Sequence, residues 1–308
     1  MKKAVTVLVT VVMLFASTFA VNVSAYTNAY YYNNTYRYYN PNNYVGNVKP
    51  TVGINSNVNQ NNDAQVQQSA TQQTNREQSI GRSTVVAVMY HKISENPAEI
   101  GDFCISPETF EEDIVWFVDN GYSFCFASEV EEIITGRLPR GKYVAITFDD
   151  GYESDYLYAL PILKKYNAQA TFFVIGSGIG VDDRISEESL KLLASSSLVE
   201  IGTHSYELHN LSVSEMKKNY SANKISYIVG DFQKGAEHLE QITGKEVKTL
   251  SFPNGIWSIA TVTELGKVGF DELFSSELIP IDGVKNRYGR VNRYSGEHIS
   301  VVLKNHIS

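Results

Sequence analysis

The sequence predicts an α/β fold: parallel strands curled into a distorted (β/α)7-type barrel, with the active site at the strand C-terminal ends. Three observations carry this. From about Ser83 to Ser308, strand-like apolar runs alternate with helix-like runs, as parallel strands with crossover helices require. About seven such units suit a closed or nearly closed barrel, with a doubly wound open sheet as the structural alternative. Polar, chemistry-bearing residues follow the ends of the predicted strands.

The elements follow in order. Thr84 to Tyr90 reads as a strand. Ser106 caps a helix that runs to about Asn120, with Gly121 as its stop. Tyr122 to Ala127 is a strand, and a short helix begins at Ser128. Val144 to Phe148 is an apolar run bounded like a buried strand. A helix near Tyr156 to Tyr166, a strand from Ala170 to Ile175 and a helix from Ser186 come next. The Leu198 to Thr203 strand leads into one long helix from about Ser212 to Thr243. Val247 to Phe252 is a strand, Ser258 to Val268 a helix, Glu272 to Ser276 a strand, and Tyr288 to Asn292 one more.

Ahead of this domain stand two segments of other composition. In residues 1–25, Lys2 and Lys3 precede the apolar run Ala4 to Ala20, and Val23-Ser24-Ala25 fits a cleavage site. This is a secretory leader, with an uncleaved anchor as the alternative. After cleavage no integral membrane span is expected. Residues 26–82 are rich in Tyr, Asn and Gln and poor in aliphatic residues. Such a stretch does not bury enough apolar surface to offset its ordering entropy, so it reads as a linker, and the chain as secreted or bound to the cell surface or wall.

The formal charge is −8, with 26 basic and 34 acidic side chains, and no basic cluster stands out. Nucleic acid is therefore excluded as a partner, and a monomer acting on a neutral or amino-sugar polymer is expected. The two cysteines, Cys104 and Cys125, lie in apolar contexts without metal-ligand spacing. A disulfide and two buried thiols are equally consistent with that.

The chemistry concentrates at four strand ends. His91 follows the first strand, and Asp149-Asp150-Gly151 follows Val144 to Phe148. His204 follows the Leu198 strand, and Pro253-Asn254-Gly255 follows Lys248 to Phe252. In a parallel barrel these ends share one rim. Adjacent strand residues point to opposite sides, so one aspartate can bind a cation while the other moves a proton. His204 and His209 are five apart, which matches neither one helix face nor one strand face. They converge only if Ser205 to Leu208 form a turning loop. His238, His298 and His306 read as bystanders.

Thr147-Phe148-Asp149-Asp150-Gly151 and His204-Ser205-Tyr206-Glu207-Leu208-His209 resemble the first two motifs of the polysaccharide deacetylases, the carbohydrate esterases with a NodB homology domain. The five-residue histidine spacing and Tyr90-His91-Lys92-Ile93 resemble the branch that includes the poly-N-acetylglucosamine deacetylases. Ser251 to Gly255 resembles the third motif, and Gly289 to Asn292 the late arginine-containing strand. The resemblance implies a metal-dependent hydrolase that removes N-acetyl groups from a polysaccharide. Asp150, His204 and His209 would hold one divalent metal, zinc first, with cobalt, nickel or iron compatible. Asp149 would be the general base and His91 the general acid. Pro253 and the Asn254 backbone N–H would form the oxyanion site.

Two departures stand out. Asn254 replaces the tyrosine usual in the third motif, and Ser251 replaces the arginine that usually holds the catalytic aspartate. Arg290 is the candidate to take over that duty. The departures motivate a second reading, a catalytically weak glycan-binding module. A third keeps the hydrolytic chemistry and directs it at O-acetyl esters of xylan-like polymers.

Overall fold

The computed structural model describes residues 83–221, 224–277, 287–294 and 296–307. The expected leader and linker lie outside them. Strand β1 (Thr84–Tyr90) is followed by the short β2 (Lys92–Ile93) and β3 (Cys104–Ile105). Helix α1 (Pro107–Asp119) starts as expected, with the Ser106 hydroxyl accepting the Thr109 N–H, and gives way to Gly121 at φ 73°. Then come β4 (Tyr122–Phe124), α2 (Val130–Ile134), β5 (Lys142–Asp150), α3 (Leu160–Tyr166) and β6 (Ala170–Val174). Helix α4 (Glu187–Ala194), capped by Ser186, leads to β7 (Val199–Thr203).

The single long helix expected after β7 is two helices, α5 (Val213–Ser221) and α6 (Ile225–Thr243). Lys224, at φ −80° and ψ 46°, leaves the helical region between them. The apolar stripe explains the break. Ile228, Val229, Phe232, Ala236 and Leu239 hold α6 against the sheet, whereas α5 carries Met216 as its fully buried apolar residue.

Strand β8 (Thr249–Ser251), helix α7 (Ile259–Lys267) and β9 (Glu272–Phe274) follow. The one strand expected over Tyr288 to Asn292 is instead two, β10 (Arg287–Tyr288) and β11 (Val291–Asn292), before helix α8 (Ile299–Ile307). The main sheet is parallel throughout, in the order β10-β9-β8-β7-β6-β5-β1-β11, with β4 also on β5. Its two edges are thus β10 and β11, and Gly289 and Arg290 alone join them in sequence. The sheet is curled, and Arg290 spans the gap that a closed barrel would fill with strand pairing.

The interior is aromatic. Phe148 stacks on Phe172 at 4.8 Å and on Tyr90 at 5.3 Å, with Phe110 edge-on to both Tyr90 and Phe148. Both cysteines are buried and free. Cys104 pairs with Lys92 beyond the end of β1, while Cys125 N–H bonds Val144, which pairs with Val86. Six residues of strand at about 3.3 Å each separate the two levels, well over the ~7 Å limit for a disulfide.

Candidate active site

The motifs converge on the C-terminal rim of the sheet. Asp149 and Asp150 are the last residues of β5 and are both buried. Asp150 has φ 77°, Ser205 73° and Asn254 54°. Left-handed backbone is uncommon outside glycine, and three of the five such residues among those described lie in these motifs. At Asp150 and the following Gly151 (φ 68°) the chain turns sharply off the strand, and a Cβ on Gly151 would stand 2.8 Å from Val174 Cγ1. At position 254 the usual tyrosine is replaced by a residue that tolerates this backbone well. The turn Pro253–Gly255 lies beside the turn Leu208–Asn210 that carries His209, with Pro253 buried and the Asn254 side chain exposed.

Asp150 Oδ1 is 3.5 Å from His204 Nε2 and 3.3 Å from His209 Nε2. The three ligand atoms lie within 4.8 Å of one another. Asp150 Oδ1 is also buried without a hydrogen-bond partner, which is costly for a carboxylate oxygen left to itself. Neighbouring ligands of a four-coordinate ion with bonds of about 2.0–2.1 Å stand about 3.4 Å apart. One oxygen and two imidazole nitrogens at this spacing fit a divalent metal, zinc among them.

The surrounding groups orient these atoms. His204 Nδ1 donates to the Ser251 carbonyl at 3.0 Å, which leaves Nε2 with its lone pair towards Asp150. Asp150 Oδ2 accepts from the Tyr152 hydroxyl at 3.3 Å and lies 3.4 Å from Arg184 Nη1. Burial, against the pull of Asp149 and Asp150, pushes His204 down to about 4, so its imidazole is neutral and able to ligate. The loop between the histidines does turn. Asp231 on α6 accepts N–H bonds from Tyr206 (2.8 Å), Glu207 (3.1 Å) and Leu208 (3.4 Å). Gly235, one turn further on, lets α6 approach this loop, since a Cβ there would lie 2.5 Å from Thr203 Oγ1 and 2.9 Å from the Ser205 carbonyl carbon.

Asp149 faces a different set of partners. Arg290 Nη1 and Nη2 donate to its Oδ1 and Oδ2, each at 2.7 Å, and the Ser251 hydroxyl donates to Oδ1 at 3.1 Å. Burial alone would raise this carboxyl, but Arg290, with His204 and His91 beside it, holds it well below the ordinary carboxylate range. The arginine missing at position 251 is thus replaced in space by Arg290, and Ser251 bridges Asp149 to His204. A carboxylate offers about four lone-pair positions. Three are taken, and one on Oδ2 is left to receive a proton.

His91 follows β1 directly and packs edge-on against Phe103, ring centroids 4.9 Å apart. Its pKa is lowered, by burial first, with the charges of Asp149 and Asp150 offsetting part of that. Of the bystander histidines, His238 packs against Tyr206 and His298 bonds Ser300. Asp231, Tyr152 and Arg184 escaped sequence reasoning, and Ser251 entered it only as a departure from the third motif. Asp231 alone carried a signal, as an acid set inside the apolar stripe of α6.

Residues 137–273 match the family model for polysaccharide deacetylases. The chain is 29% identical over 224 residues to poly-beta-1,6-N-acetyl-D-glucosamine N-deacetylase of Staphylococcus aureus, covering 67% of this chain and 77% of that one. The structure of IcaB from Ammonifex degensii superposes with a TM-score of 0.63 at 27% identity, covering 72% of this chain and 97% of that one. Streptococcus pyogenes deacetylase PplD shares the fold, with a TM-score of 0.61 at 20% identity over 73% and 99% of the two chains. The family match spans Asp149, Asp150, His204, His209 and Asn254, and His91 and Arg290 lie outside it. With the motifs, the curled parallel sheet and these likenesses in agreement, the chain carries a polysaccharide deacetylase domain of the NodB homology type.

Proposed function

We propose that this protein is a secreted, metal-dependent hydrolase that removes N-acetyl groups from an amino-sugar polymer, with poly-N-acetylglucosamine as first substrate and peptidoglycan as second. The observation that carries the proposal is the pairing of two carboxylates with different duties. Asp150 turns an unsatisfied oxygen towards two imidazoles, while Asp149 beside it is clamped by Arg290. Likeness to the staphylococcal enzyme favours the poly-N-acetylglucosamine substrate. The apolar leader and Asn/Tyr/Gln-rich linker support export to the cell surface or wall.

Asp150, His204 and His209 would hold the ion. When bound, a divalent metal acidifies a water and polarises the acetyl carbonyl. Asp149 accepts the proton of the attacking water on its remaining Oδ2 lone pair, while Arg290 and Ser251 keep the carboxylate aimed. The Asn254 backbone N–H donates to the oxygen on which charge develops. His91, packed edge-on against Phe103, gives its proton to the departing sugar amine. Acetate and a free amine result.

The test is acetate release by the purified protein from poly-N-acetylglucosamine and from peptidoglycan, before chelation, after it, and after zinc is restored. Release that vanishes with chelator and returns with metal supports the proposal. Metal binding without release from either polymer favours the glycan-binding reading. In the same assay Asp149→Asn should keep its metal and lose about 10²–10⁴ in turnover.

A further inference from the structure

We propose that Phe103 and Tyr294 form an aromatic platform for a sugar ring of the polymer next to the one being deacetylated. The proposal rests on the deacetylase reading above.

The placement follows from strand register. β1 and β11 pair as Met89 with Asn292, and Arg293 N–H donates to the Met89 carbonyl at 3.0 Å. Tyr294 follows Arg293 at this end of β11. β2 and β3 pair as Lys92 with Cys104, and Lys92 N–H donates to the Phe103 carbonyl at 3.0 Å. One residue back, Phe103 lies against His91, with Tyr294 on its other side. The rings then close into a strip: His91 to Phe103 at 4.9 Å and Phe103 to Tyr294 at 5.9 Å, both edge-on.

This strip is open to solvent. Phe103 is 56% exposed and Tyr294 42%. Single exposed aromatics are ordinary, but a contiguous pair against a half-buried site histidine is not covered by the fold's own packing. The Phe103 carbonyl is held by Lys92 N–H, Tyr294 stands two residues past β11, and aromatic rings present their area at low entropic cost.

The ligand chemistry follows from His91. If His91 protonates the leaving amine, the amine-bearing pyranose lies against it, and the next ring of the chain passes over Phe103 and Tyr294. A pyranose offers a face of axial C–H groups, apolar and slightly positive. An aromatic face is apolar and negative. Stacking of this kind reads the ring and not its acetyl group, so the platform would grip acetylated and deacetylated neighbours alike. It predicts selectivity for chain length over single sugars.

The experiment is calorimetric titration of the metal-free full chain with N-acetylglucosamine and with its β-1,6-linked pentasaccharide. Wild type should bind the pentasaccharide at least tenfold more tightly than the monosaccharide. Phe103→Leu and Tyr294→Leu, which keep bulk and lose the aromatic face, should each cut that ratio at least threefold, and Phe103→Trp should restore it. Absence of a length-dependent gain in wild type, or a gain unchanged in both leucine variants, overturns the platform. Acetate release plays no part in this readout. Loss of the deacetylase reading therefore shows as no release despite binding, and loss of the platform as release without the length effect.

Discussion

Arg290 and Asp149 meet end to end, both guanidinium nitrogens on both carboxylate oxygens at 2.7 Å, across 141 residues of sequence. Both side chains are almost wholly buried. Such a pair fixes direction as well as charge, because the planar fork matches the carboxylate bidentately. Arg290→Gln should lower kcat by about 100-fold or more while metal content is kept, since the base loses its aim and its ligating neighbour does not. Turnover measured alongside metal content by mass spectrometry checks this. Equal loss of metal and turnover would contradict it.

Ser251 bridges the two halves of the site, with its hydroxyl on Asp149 and its carbonyl on His204 Nδ1. Ser251→Ala keeps the carbonyl contact and removes the hydroxyl. Metal affinity should fall at the small end of the 10–100-fold range typical of such outer partners, and kcat should fall further than affinity does. Competition with a chromophoric chelator gives the first quantity and acetate release the second.

The His204 imidazole has to be neutral to ligate, and burial brings its pKa down to about 4. The proton therefore leaves well below neutrality, and the ligand form is present at every pH above that value. Metal affinity should therefore be insensitive to His204 protonation above about pH 4 and weaken below it, whereas a histidine of ordinary pKa would begin to weaken binding below 6.5. Ring titration by NMR in the metal-free protein, paired with metal retention, tests the order. A His204 midpoint above 6 would refute it.

Far from this rim, Glu272 at the start of β9 is buried with its carboxyl pushed up to about 8, by burial and by Asp271, Glu200, Glu131 and Glu132. The folded state thus binds a proton that the unfolded chain releases near pH 4.3. Stability tied to that proton is full at low pH and is lost as the pH rises towards 8. Glu272→Gln should leave Tm nearly unchanged at pH 4 and raise it at pH 9 by at least about 2–4 °C, the shift that 1 kcal/mol gives in a domain of this size. Thermal scans at the two pH values decide it.

Local signals made much of this legible in advance. Ser106, Ser186 and Ser258 announced their helices because an N-cap hydroxyl and the residue three places on are neighbours in sequence. The aspartates and histidines were legible because each motif is one strand end. What stayed hidden depends on distance along the chain. No local pattern ties Asp231 to the N–H groups of residues 206–208, or Tyr152 and Arg184 to one oxygen of Asp150. The late strand was misread for the same reason. Arg287 to Asn292 look extended throughout, and only the sheet order reveals that the first two residues pair with β9 and the last two with β1.

That division has a consequence for when the enzyme comes alive. During synthesis the aspartates, both histidines and Ser251 leave the ribosome before the segment carrying β10, Arg290 and β11. Until it docks, Asp149 is a carboxylate without its cation, and the two sheet edges are untied. The last stitch in the fold also arms the base. On the proposed mechanism, a chain interrupted short of residue 290 would carry Asp150, His204 and His209 without the guanidinium that aims Asp149.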